Sequence, residues 1–272
     1  MKIVALAENT ASRADLKTVH GLSIYIETPK HRLLFDLGPD DTFSDNAAVL
    51  GVDLAGVDTV IISHGHYDHG RALGRFFKLN DRATVYMRRQ AFEPHFARLP
   101  KGMEYNGLDA KLAGHERIVF TDDVMRIDDE LFVFSDVDAA HETESSRVLM
   151  KQTADGALVQ DDFDHEQDLI LSTEGKALLF SGCSHSGIES ILAAAYRHHP
   201  GLDAVFGGFH LFNPNSGVME PEEFVREVAE RLHAYDTVFY TCHCTGEKAF
   251  GLMREKMGDQ LRYLSTGTVV EI

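Results

Sequence analysis

Cysteine is scarce in this 272-residue sequence, which contains only Cys183, Cys242 and Cys244. An odd number of cysteines, two of them separated by a single residue, argues against a disulfide framework and favours a reducing compartment. The apolar run after Met1 is too short for a signal peptide, and no segment approaches the roughly 18 apolar residues that a membrane helix needs. The sequence therefore predicts a cytoplasmic protein that does not associate with a membrane.

Positive charge is also in short supply, because 26 Lys and Arg residues stand against 43 Asp and Glu residues and give a net charge of −17. A field of this sign repels phosphate backbones and disfavours a nucleic-acid partner. Residues 71–117 form a locally basic segment within this acidic chain. The simpler interpretation of that segment is a solvated surface of uneven charge, and the alternative is a lid that helps to hold an anionic substrate.

Internal repeats and low-complexity linkers are missing from the sequence, so we expect one large domain over residues 1–272 with a lid or insertion within residues 80–165. Helical spacing of apolar residues occurs at 72–79, 187–198 and 221–233. Short β-type runs occur at 2–6, 23–27, 32–36, 60–63, 84–87, 131–134, 169–173, 177–181, 204–207, 238–241 and 268–271. This interspersion predicts an α/β fold in which helices pack outside sheets.

The run His64-Gly65-His66-Tyr67-Asp68-His69 follows directly after an apolar strand. It holds four side chains able to bind metal within six residues, and Gly65 lets the backbone bend so that they converge. Imidazole and carboxylate groups suit Zn, Fe(II) or Mn. We therefore expect His64 and His66 to bind one metal, while Asp68 and His69 point to a second.

Three later apolar runs also end in a histidine beside small residues, and those histidines are His185, His210 and His243. Repeated histidines at strand ends are what a site at one edge of a sheet would produce. We expect His185 and His243 to be metal ligands. For His210, binding a metal and contacting the substrate are equally weighted alternatives.

Cys183 has three interpretations, namely a metal ligand, a redox-sensitive neighbour and a small packing residue, and packing or support of a ligand is favoured. A zinc knuckle at Cys242-His243-Cys244 would need a second cysteine pair at structural spacing, which the sequence does not have. Asp36, at the end of another strand, is either the partner of a ligating histidine or a turn residue.

These residues carry a family resemblance. The H-x-H-x-D-H run resembles the signature of the metallo-β-lactamase superfamily. Five further sequence motifs are similar to those of the branch labelled 7,8-dihydropterin-6-methyl-4-(β-D-ribofuranosyl)aminobenzene 5′-phosphate synthase-like. These motifs are His20-Gly-Leu-Ser23, Leu34-Phe-Asp36-Leu-Gly38, Ser181-Gly-Cys-Ser-His185, Gly207-Gly-Phe-His-Leu211 and Cys242-His-Cys-Thr-Gly246. The resemblance runs from about Glu8 to Gly246. It implies a four-layer αββα sandwich with a dinuclear metal site.

The resemblance also implies a ligand set. One metal is held by His64, His66 and a third histidine, and the other by Asp68, His69 and His243. Either His185 or His165 supplies the third histidine, with His185 favoured. Cys183 takes the position of the bridging aspartate that is common in the superfamily, so this chain departs from the usual pattern there.

The implied chemistry is hydrolysis of a small, anionic phosphate- or carboxylate-bearing substrate by two divalent ions. Zinc is favoured, and Fe or Mn are alternatives. The ions would hold a bridging water and bring its pKa from about 15.7 towards neutrality, and the resulting hydroxide would attack the substrate. Asp68 is the candidate catalytic residue that orients this nucleophile or accepts its proton.

Other functions remain as alternatives. A synthase or lyase acting on a phosphorylated pterin-like substrate would use the same metals, and a non-catalytic metal sensor would use the same ligands. A diiron redox protein is disfavoured, because such superfamily members tend to replace one histidine of the first motif and to carry a flavin domain. The sequence leaves a homo-oligomer as an option.

Overall fold

The computed structural model describes residues 1–138 and 143–272 and divides into two compact units. The first unit comprises Met1–Pro94, Asn106–Thr121 and Leu264–Ile272, and the second comprises His95–Tyr105 and Asp122–Tyr263. The single domain with a lid or insertion within residues 80–165 stays a prediction. Residues 139–142 of that segment lie outside the described residues.

The first unit contains a seven-stranded mixed sheet. Its strands are β1 (Lys2–Ala7), β2 (Ser23–Glu27), β3 (Arg32–Phe35), β4 (Thr59–Ile61), β5 (Thr84–Arg88), β8 (Ile118–Thr121) and β20 (Val269–Glu271). They lie in the order β20-β1-β2-β3-β4-β5-β8. Strands β3, β4, β5 and β8 are parallel neighbours, so their carboxyl ends share one edge of the sheet.

Helices α1 (Thr42–Leu50), α2 (Tyr67–Gly70) and α3 (Leu73–Leu79) also belong to the first unit. The apolar core beneath α1 and α3 includes Phe43, Leu73 and Phe76, all fully buried, together with residues of β4 and β5. Helix α1 ends at Gly51, whose φ of 71° is the left-handed conformation that glycine adopts without a steric penalty. Helix α2 begins at Tyr67, within the histidine-rich run, so its first turn carries Asp68 and His69.

The second unit is built on another seven-stranded sheet in the order β19-β18-β15-β14-β13-β10-β9, with a four-stranded sheet in the order β12-β11-β6-β7 and the hairpin β16-β17. The bounds of these strands are β6 His95–Leu99, β7 Gly102–Tyr105, β9 Val124–Arg126, β10 Leu131–Phe134, β11 Leu149–Gln152, β12 Leu158–Gln160, β13 Asp168–Thr173, β14 Lys176–Phe180, β15 Ala204–Gly207, β16 Phe212–Asn213, β17 Val218–Met219, β18 Val238–Thr241 and β19 Leu261–Tyr263.

Helices α4 (Ile188–His198), α5 (Glu222–His233) and α6 (Glu247–Met257) bury one apolar face each in the core of the second unit. In α5, Val225, Val228 and Leu232 follow helical spacing and are at most 2% exposed. Pro221 directly precedes the first residue of α5, and Glu222 and Glu223 in the first turn interact favourably with the helix dipole. The predicted helix over 221–233 is confirmed.

Most strands and helices predicted from periodicity are present with bounds shifted by one or two residues. Helices α1 and α6 and the four-stranded sheet are not predicted by the sequence patterns. Helix α6 contains Gly251 in its interior, and β7 and β12 are largely exposed, so neither shows a clear apolar stripe. Within the described ranges, no helix is both long enough and apolar enough to cross a membrane.

Candidate functional site

The histidine-rich run of the first unit is buried although it is polar. His64 and His69 are fully buried, and His66 and Asp68 are 3% and 6% exposed. The bend at Gly65 brings the backbone against Ala91, since a Cβ atom at residue 65 would lie 2.5 Å from the Ala91 oxygen. Only glycine fits this approach, so the run is held in place by packing against the segment that follows β5.

Asp36 organises two of these histidines. Its carboxylate, fully buried, accepts hydrogen bonds from the backbone nitrogen of Ser63 (2.7 Å), from Ser63 Oγ (2.7 Å) and from Nδ1 of His69 (2.6 Å). Because Ser63 Oγ donates to Asp36, it accepts from Nδ1 of His64 at 2.9 Å. Both rings are thereby held as the tautomer whose Nε2 carries the lone pair that a metal needs.

Asp68 lies close to its histidine neighbours. Its Oδ2 is 3.8 Å from Nε2 of His69 and 3.2 Å from Nε2 of His20. The His64 ring lies 4.1 Å from that of His69 and 4.7 Å from that of His66, measured between centroids. His20 is a neighbour that the sequence analysis did not assign to the site. In the sequence, His20 stands out because it begins the His20-Gly-Leu-Ser23 motif, which is similar to that of the family branch.

In the second unit, three parallel neighbouring strands deliver side chains to one edge. The third residue after β14 is Cys183, the third after β15 is His210 and the third after β18 is Cys244. All three are buried, and their potential ligand atoms lie within 4.8 Å of one another. The topology therefore brings together residues that are more than twenty positions apart in the sequence.

His185 and His243 lie beside this group. A ring nitrogen of each lies within 4.8 Å of the Cys183 sulfur. The His185 ring stacks on Phe163 at 4.5 Å and lies 4.3 Å from the His210 ring. His210 and His243 have positive φ values of 45° and 53°, which are uncommon for residues other than glycine. A backbone conformation of this kind persists only where the surrounding structure stabilises it.

Two groups of this cluster have shifted ionisation. Burial opposes the thiolate of Cys244, but contacts with Cys183 and His210 and the charge of His243 outweigh it and place the pKa of Cys244 well below that of an ordinary thiol. Burial likewise opposes the imidazolium of His210, but the Cys244 sulfur outweighs it and raises the pKa of His210. The cluster therefore favours a thiolate, which is the metal-binding form of cysteine.

Glu166 supports the turn that carries His185. Its buried carboxylate accepts hydrogen bonds from the backbone nitrogens of His185 (2.7 Å) and Ser186 (2.9 Å). Burial raises the pKa of Glu166 above its ordinary value, against the opposing effect of these two donors. The sequence analysis did not assign Glu166, since a carboxylate in a run of acidic residues carries no distinctive signal.

His165 belongs to a different buried group. Oδ2 of Asp161 lies 2.9 Å from Nδ1 of His95 and 3.3 Å from Nε2 of His165. The two rings are 4.0 Å apart, and all three side chains are at most 3% exposed. Neither His95 nor Asp161 was assigned to a site from the sequence. His165 or His185 as the third histidine of the first metal stays a prediction.

The residues present fit a divalent metal. In the first unit buried imidazoles lie beside a carboxylate, and in the second unit they lie beside thiols. These groups are suitable ligands for zinc or iron. Both ring nitrogens of His210, a residue only 6% exposed, lack a hydrogen bond to any described residue. A buried polar group of this kind calls for a partner such as a metal, a thiolate or a ligand.

Each unit carries buried histidines beside carboxylate or thiol side chains at the ends of its strands. Comparison with known proteins identifies the class of protein to which this arrangement belongs. The family model of the metallo-β-lactamase superfamily matches residues 16–146 of this chain. It is 27% identical, over 294 aligned positions, to a 7,8-dihydropterin-6-methyl-4-(beta-D-ribofuranosyl)-aminobenzene-5′-phosphate synthase of Methanocaldococcus jannaschii. That alignment covers all of this chain and 96% of the relative.

Solved structures show the same fold. Tm1679, described as a metal-dependent hydrolase of the β-lactamase superfamily, has a TM-score of 0.84 and 24% sequence identity to this chain. The structural alignment covers all of this chain and 99% of Tm1679. Zn²⁺-bound PqqB from Methylobacterium extorquens has a TM-score of 0.61 at 12% identity, with both chains fully covered. The predicted superfamily and fold class are confirmed.

Proposed function

We propose that the protein is a metal-dependent hydrolase that binds two divalent metal ions and acts on a small anionic substrate. Zinc is the favoured metal, with iron or manganese as alternatives. Following the family pattern, His64, His66 and His185 bind one ion, and Asp68, His69 and His243 bind the other. His165 is the alternative to His185.

The observation that carries this proposal is the hydrogen bonding around Asp36. Metal-binding histidines commonly donate their second ring nitrogen to a carboxylate or another acceptor, which fixes the ring and raises its basicity. Asp36 accepts from Nδ1 of His69, and Ser63 accepts from Nδ1 of His64. A buried network that fixes two adjacent imidazoles in this tautomer has no evident purpose in a surface turn.

The ions supply the Lewis acidity that lowers the pKa of a water molecule and stabilises developing negative charge. Asp68 is the candidate catalytic residue, because a carboxylate can orient the attacking water or accept its proton. His20, 3.2 Å from Asp68, supports the orientation of that carboxylate. His210 is a candidate for substrate contact, since its buried ring lies 4.3 Å from the ring of the proposed ligand His185.

We further propose that the substrate is a small molecule met in the cytoplasm, without nucleic acid or membrane as a partner. The net charge of −17 disfavours binding to a phosphate backbone. In the basic segment, Arg88 is buried and bonds to Thr121, whereas Arg89 is exposed and lies over the Phe120 ring. Arg89 is therefore the better candidate in that segment for contact with an anion.

The test is metal content together with turnover. Protein purified without chelator is analysed for metal and assayed against phosphodiesters, lactones and esters, beside the variant His66→Ala. The proposal expects turnover that is lost in the variant along with metal. Tightly bound metal in wild-type protein, with no turnover of any substrate in the panel, would favour a sensor and contradict the hydrolase.

A synthase is the second candidate, because the relative from Methanocaldococcus jannaschii that aligns over this whole chain carries that description. Such an enzyme would use the same ligands to stabilise a leaving phosphate or pyrophosphate. Incubation of the metal-loaded protein with a phosphorylated dihydropterin and a ribofuranosyl-aminobenzene 5′-phosphate acceptor distinguishes the two. Formation of a coupled product with release of phosphate favours the synthase, and release of phosphate without coupling favours the hydrolase.

A further inference from the structure

His210 is held in place through its backbone rather than through its ring. Among the described residues, neither ring nitrogen has a hydrogen-bond partner, although the residue is only 6% exposed. Its backbone nitrogen donates to the Cys244 sulfur at 3.3 Å, and its backbone oxygen accepts from Ser145 Oγ at 2.7 Å. Its φ of 45° costs free energy unless the surroundings stabilise it. The direction of the ring therefore depends on these two backbone contacts.

Ser145, which donates to the His210 oxygen, is itself fixed on both sides. The residue is fully buried, and its backbone nitrogen donates to Oε1 of Glu220 at 2.6 Å. Its backbone oxygen accepts from Nδ2 of Asn213 at 3.2 Å. The buried carboxylate of Glu220 also accepts from the backbone nitrogen of Glu144 at 3.2 Å. A serine whose backbone is bound at both ends presents its hydroxyl in one direction.

Glu220 completes a ring of hydrogen bonds that returns to the turn of His210. It follows directly after β17, and its backbone nitrogen donates at 2.9 Å to the oxygen of Leu211, the residue after His210. Glu220 therefore binds Leu211 through its backbone and Ser145 through its carboxylate, while Ser145 binds His210. All four residues belong to the second unit. Three separate segments of that unit thus fix the backbone of one buried histidine.

We propose that Ser145 and Glu220 are positioning residues that orient the His210 ring for contact with the substrate. This inference rests on the proposed function, in which His210 contacts the substrate. A misplacement of about 1 Å in a group that contacts the substrate can cost about 100-fold in rate. Ser145 acts through His210, because its buried hydroxyl donates to the His210 backbone oxygen. Glu220 acts one step further away, by holding Ser145.

The neighbouring residue Ser146 provides a matched comparison. It is 2% exposed, its Oγ donates to the Thr143 oxygen at 3.0 Å, and its backbone oxygen accepts from Nε2 of Gln160 at 3.1 Å. These contacts stabilise the chain segment that Ser145 shares, and neither of them involves the turn of His210. A role limited to folding of this segment therefore predicts similar effects for the loss of either hydroxyl, whereas positioning of His210 predicts an effect for Ser145 alone.

The experiment combines a double-mutant cycle with NMR of the zinc-loaded full chain. The values of kcat and KM are measured for wild-type protein, Ser145→Ala, His210→Gln and the double variant, with the substrate that the phosphodiester, lactone and ester panel identifies. The same proteins are labelled with ¹⁵N-histidine, and the ring signals of His210 are identified by their loss in His210→Gln. Ser146→Ala is the control. Glu220→Gln, which keeps one acceptor oxygen, is the second variant if Ser145→Ala does not fold.

We expect Ser145→Ala to keep its metal, to shift the ring signals of His210 and to lower kcat/KM by about 10- to 100-fold, mainly through a higher KM. In the His210→Gln background the same change should cause no further loss, because a residue that acts through His210 has no influence once that ring is absent. Glu220→Gln should change both measurements in the same direction by a smaller amount. Ser146→Ala should change neither.

Equal losses of kcat/KM from Ser145→Ala in the two backgrounds would overturn the inference, as would ring signals of His210 that stay unchanged in Ser145→Ala. An unchanged kcat/KM in His210→Gln would also overturn it, while leaving the proposed hydrolysis intact. Absence of turnover in wild-type protein would contradict the proposed function. The NMR comparison of Ser145→Ala with Ser146→Ala then decides by itself whether Ser145 orients the ring.

Discussion

The two units bring their proposed metal-binding side chains together in opposite ways. In the first unit they come from one run, His64 to His69, and a buried carboxylate at the end of the adjacent strand orients two of them. In the second unit the candidates follow separate strands, because His185 comes after β14 and His243 after β18, and each has a ring nitrogen within 4.8 Å of the Cys183 sulfur. The first arrangement is local in sequence, whereas the second depends on strand order.

This difference has a consequence for stability. The first set relies on hydrogen bonds to a single group, Asp36, so the loss of that group should affect several side chains at once. The second set relies on backbone shape, with positive φ at Ser184, His210 and His243 and a close approach at Gly208. Perturbing one strand end should affect the side chains of that turn first.

The largest effect is expected from Asp36→Ala in the first unit. The change leaves the Ser63 amide and hydroxyl and the His69 ring as buried donors without their acceptor. Each buried donor left without an acceptor costs about 1 to 3 kcal/mol. We expect a lower free energy of unfolding in urea and a loss of bound metal.

The matched control for Asp36→Ala is Asp81→Ala, which removes an exposed carboxylate from the same unit. Its free energy of unfolding should stay within about 0.5 kcal/mol of wild type. Equal destabilisation by the two changes would show that Asp36 does not organise the run.

Glycine substitutions compare the close approaches in the two units. In Gly65→Ala the new Cβ would lie 2.5 Å from the backbone oxygen of Ala91, and in Gly208→Ala it would lie 2.4 Å from the side-chain sulfur of Cys244. Since a side chain moves more easily than backbone, we expect a loss of about 2 to 3 kcal/mol for Gly65→Ala and about 1 to 2 kcal/mol for Gly208→Ala. Thermal or urea unfolding measures both.

Two helical glycines serve as controls, Gly74 in α3 and Gly251 in α6. A Cβ at Gly251 meets nothing within 4 Å, and one at Gly74 makes only an ordinary contact of 3.7 Å with Leu112. Alanine at either position should raise stability by up to about 1 kcal/mol. A larger loss for Gly208→Ala than for Gly65→Ala would reverse the expected order of rigidity.

A smaller effect is expected for Glu166→Gln in the second unit. The amide keeps one acceptor oxygen but turns an NH₂ group towards one of the two backbone nitrogens that Glu166 now accepts from. We expect a loss of about 1 kcal/mol and weaker metal binding through His185. The exposed Glu223→Gln is the control, and equal metal affinity in the two variants would argue against a supporting role for Glu166.

The smallest expected effect is on the ionisation of two tyrosines, one in each unit. Burial, reinforced by the charge of Glu27, raises the pKa of Tyr25 in the first unit to about 12, and burial also raises the pKa of Tyr235 in the second. Because the folded state favours the neutral phenol, the contribution of Tyr25 to stability is present below pH 10 and is lost between pH 10 and 12.

Absorbance titration of the native protein beside Tyr25→Phe and Tyr235→Phe measures these ionisations. The late ionisation should disappear from the titration curve of Tyr25→Phe. If the curve of that variant matches wild type throughout the alkaline range, the environment assigned to Tyr25 is wrong.

The local arrangement was also the one that the sequence predicts best. The apolar strand and the His64–His69 run that follows it are adjacent in the sequence and can be recognised together. The strand-end positions of His185, His210 and His243 follow from the apolar runs that precede them. Glu166 and the Asp161–His95 pair could not be predicted, because their roles depend on contacts between segments with no shared pattern. Helix α6 was missed for a similar reason, since Gly251 and its charged residues obscure the apolar stripe.

The most direct test of the two-unit account is the metal stoichiometry of protein purified without chelator, compared with His66→Ala in the first unit and His243→Ala in the second. The account predicts two equivalents of divalent metal per chain in wild-type protein and a loss of at least one equivalent in each variant. Two equivalents that persist in either variant, or no metal in wild-type protein, would contradict it.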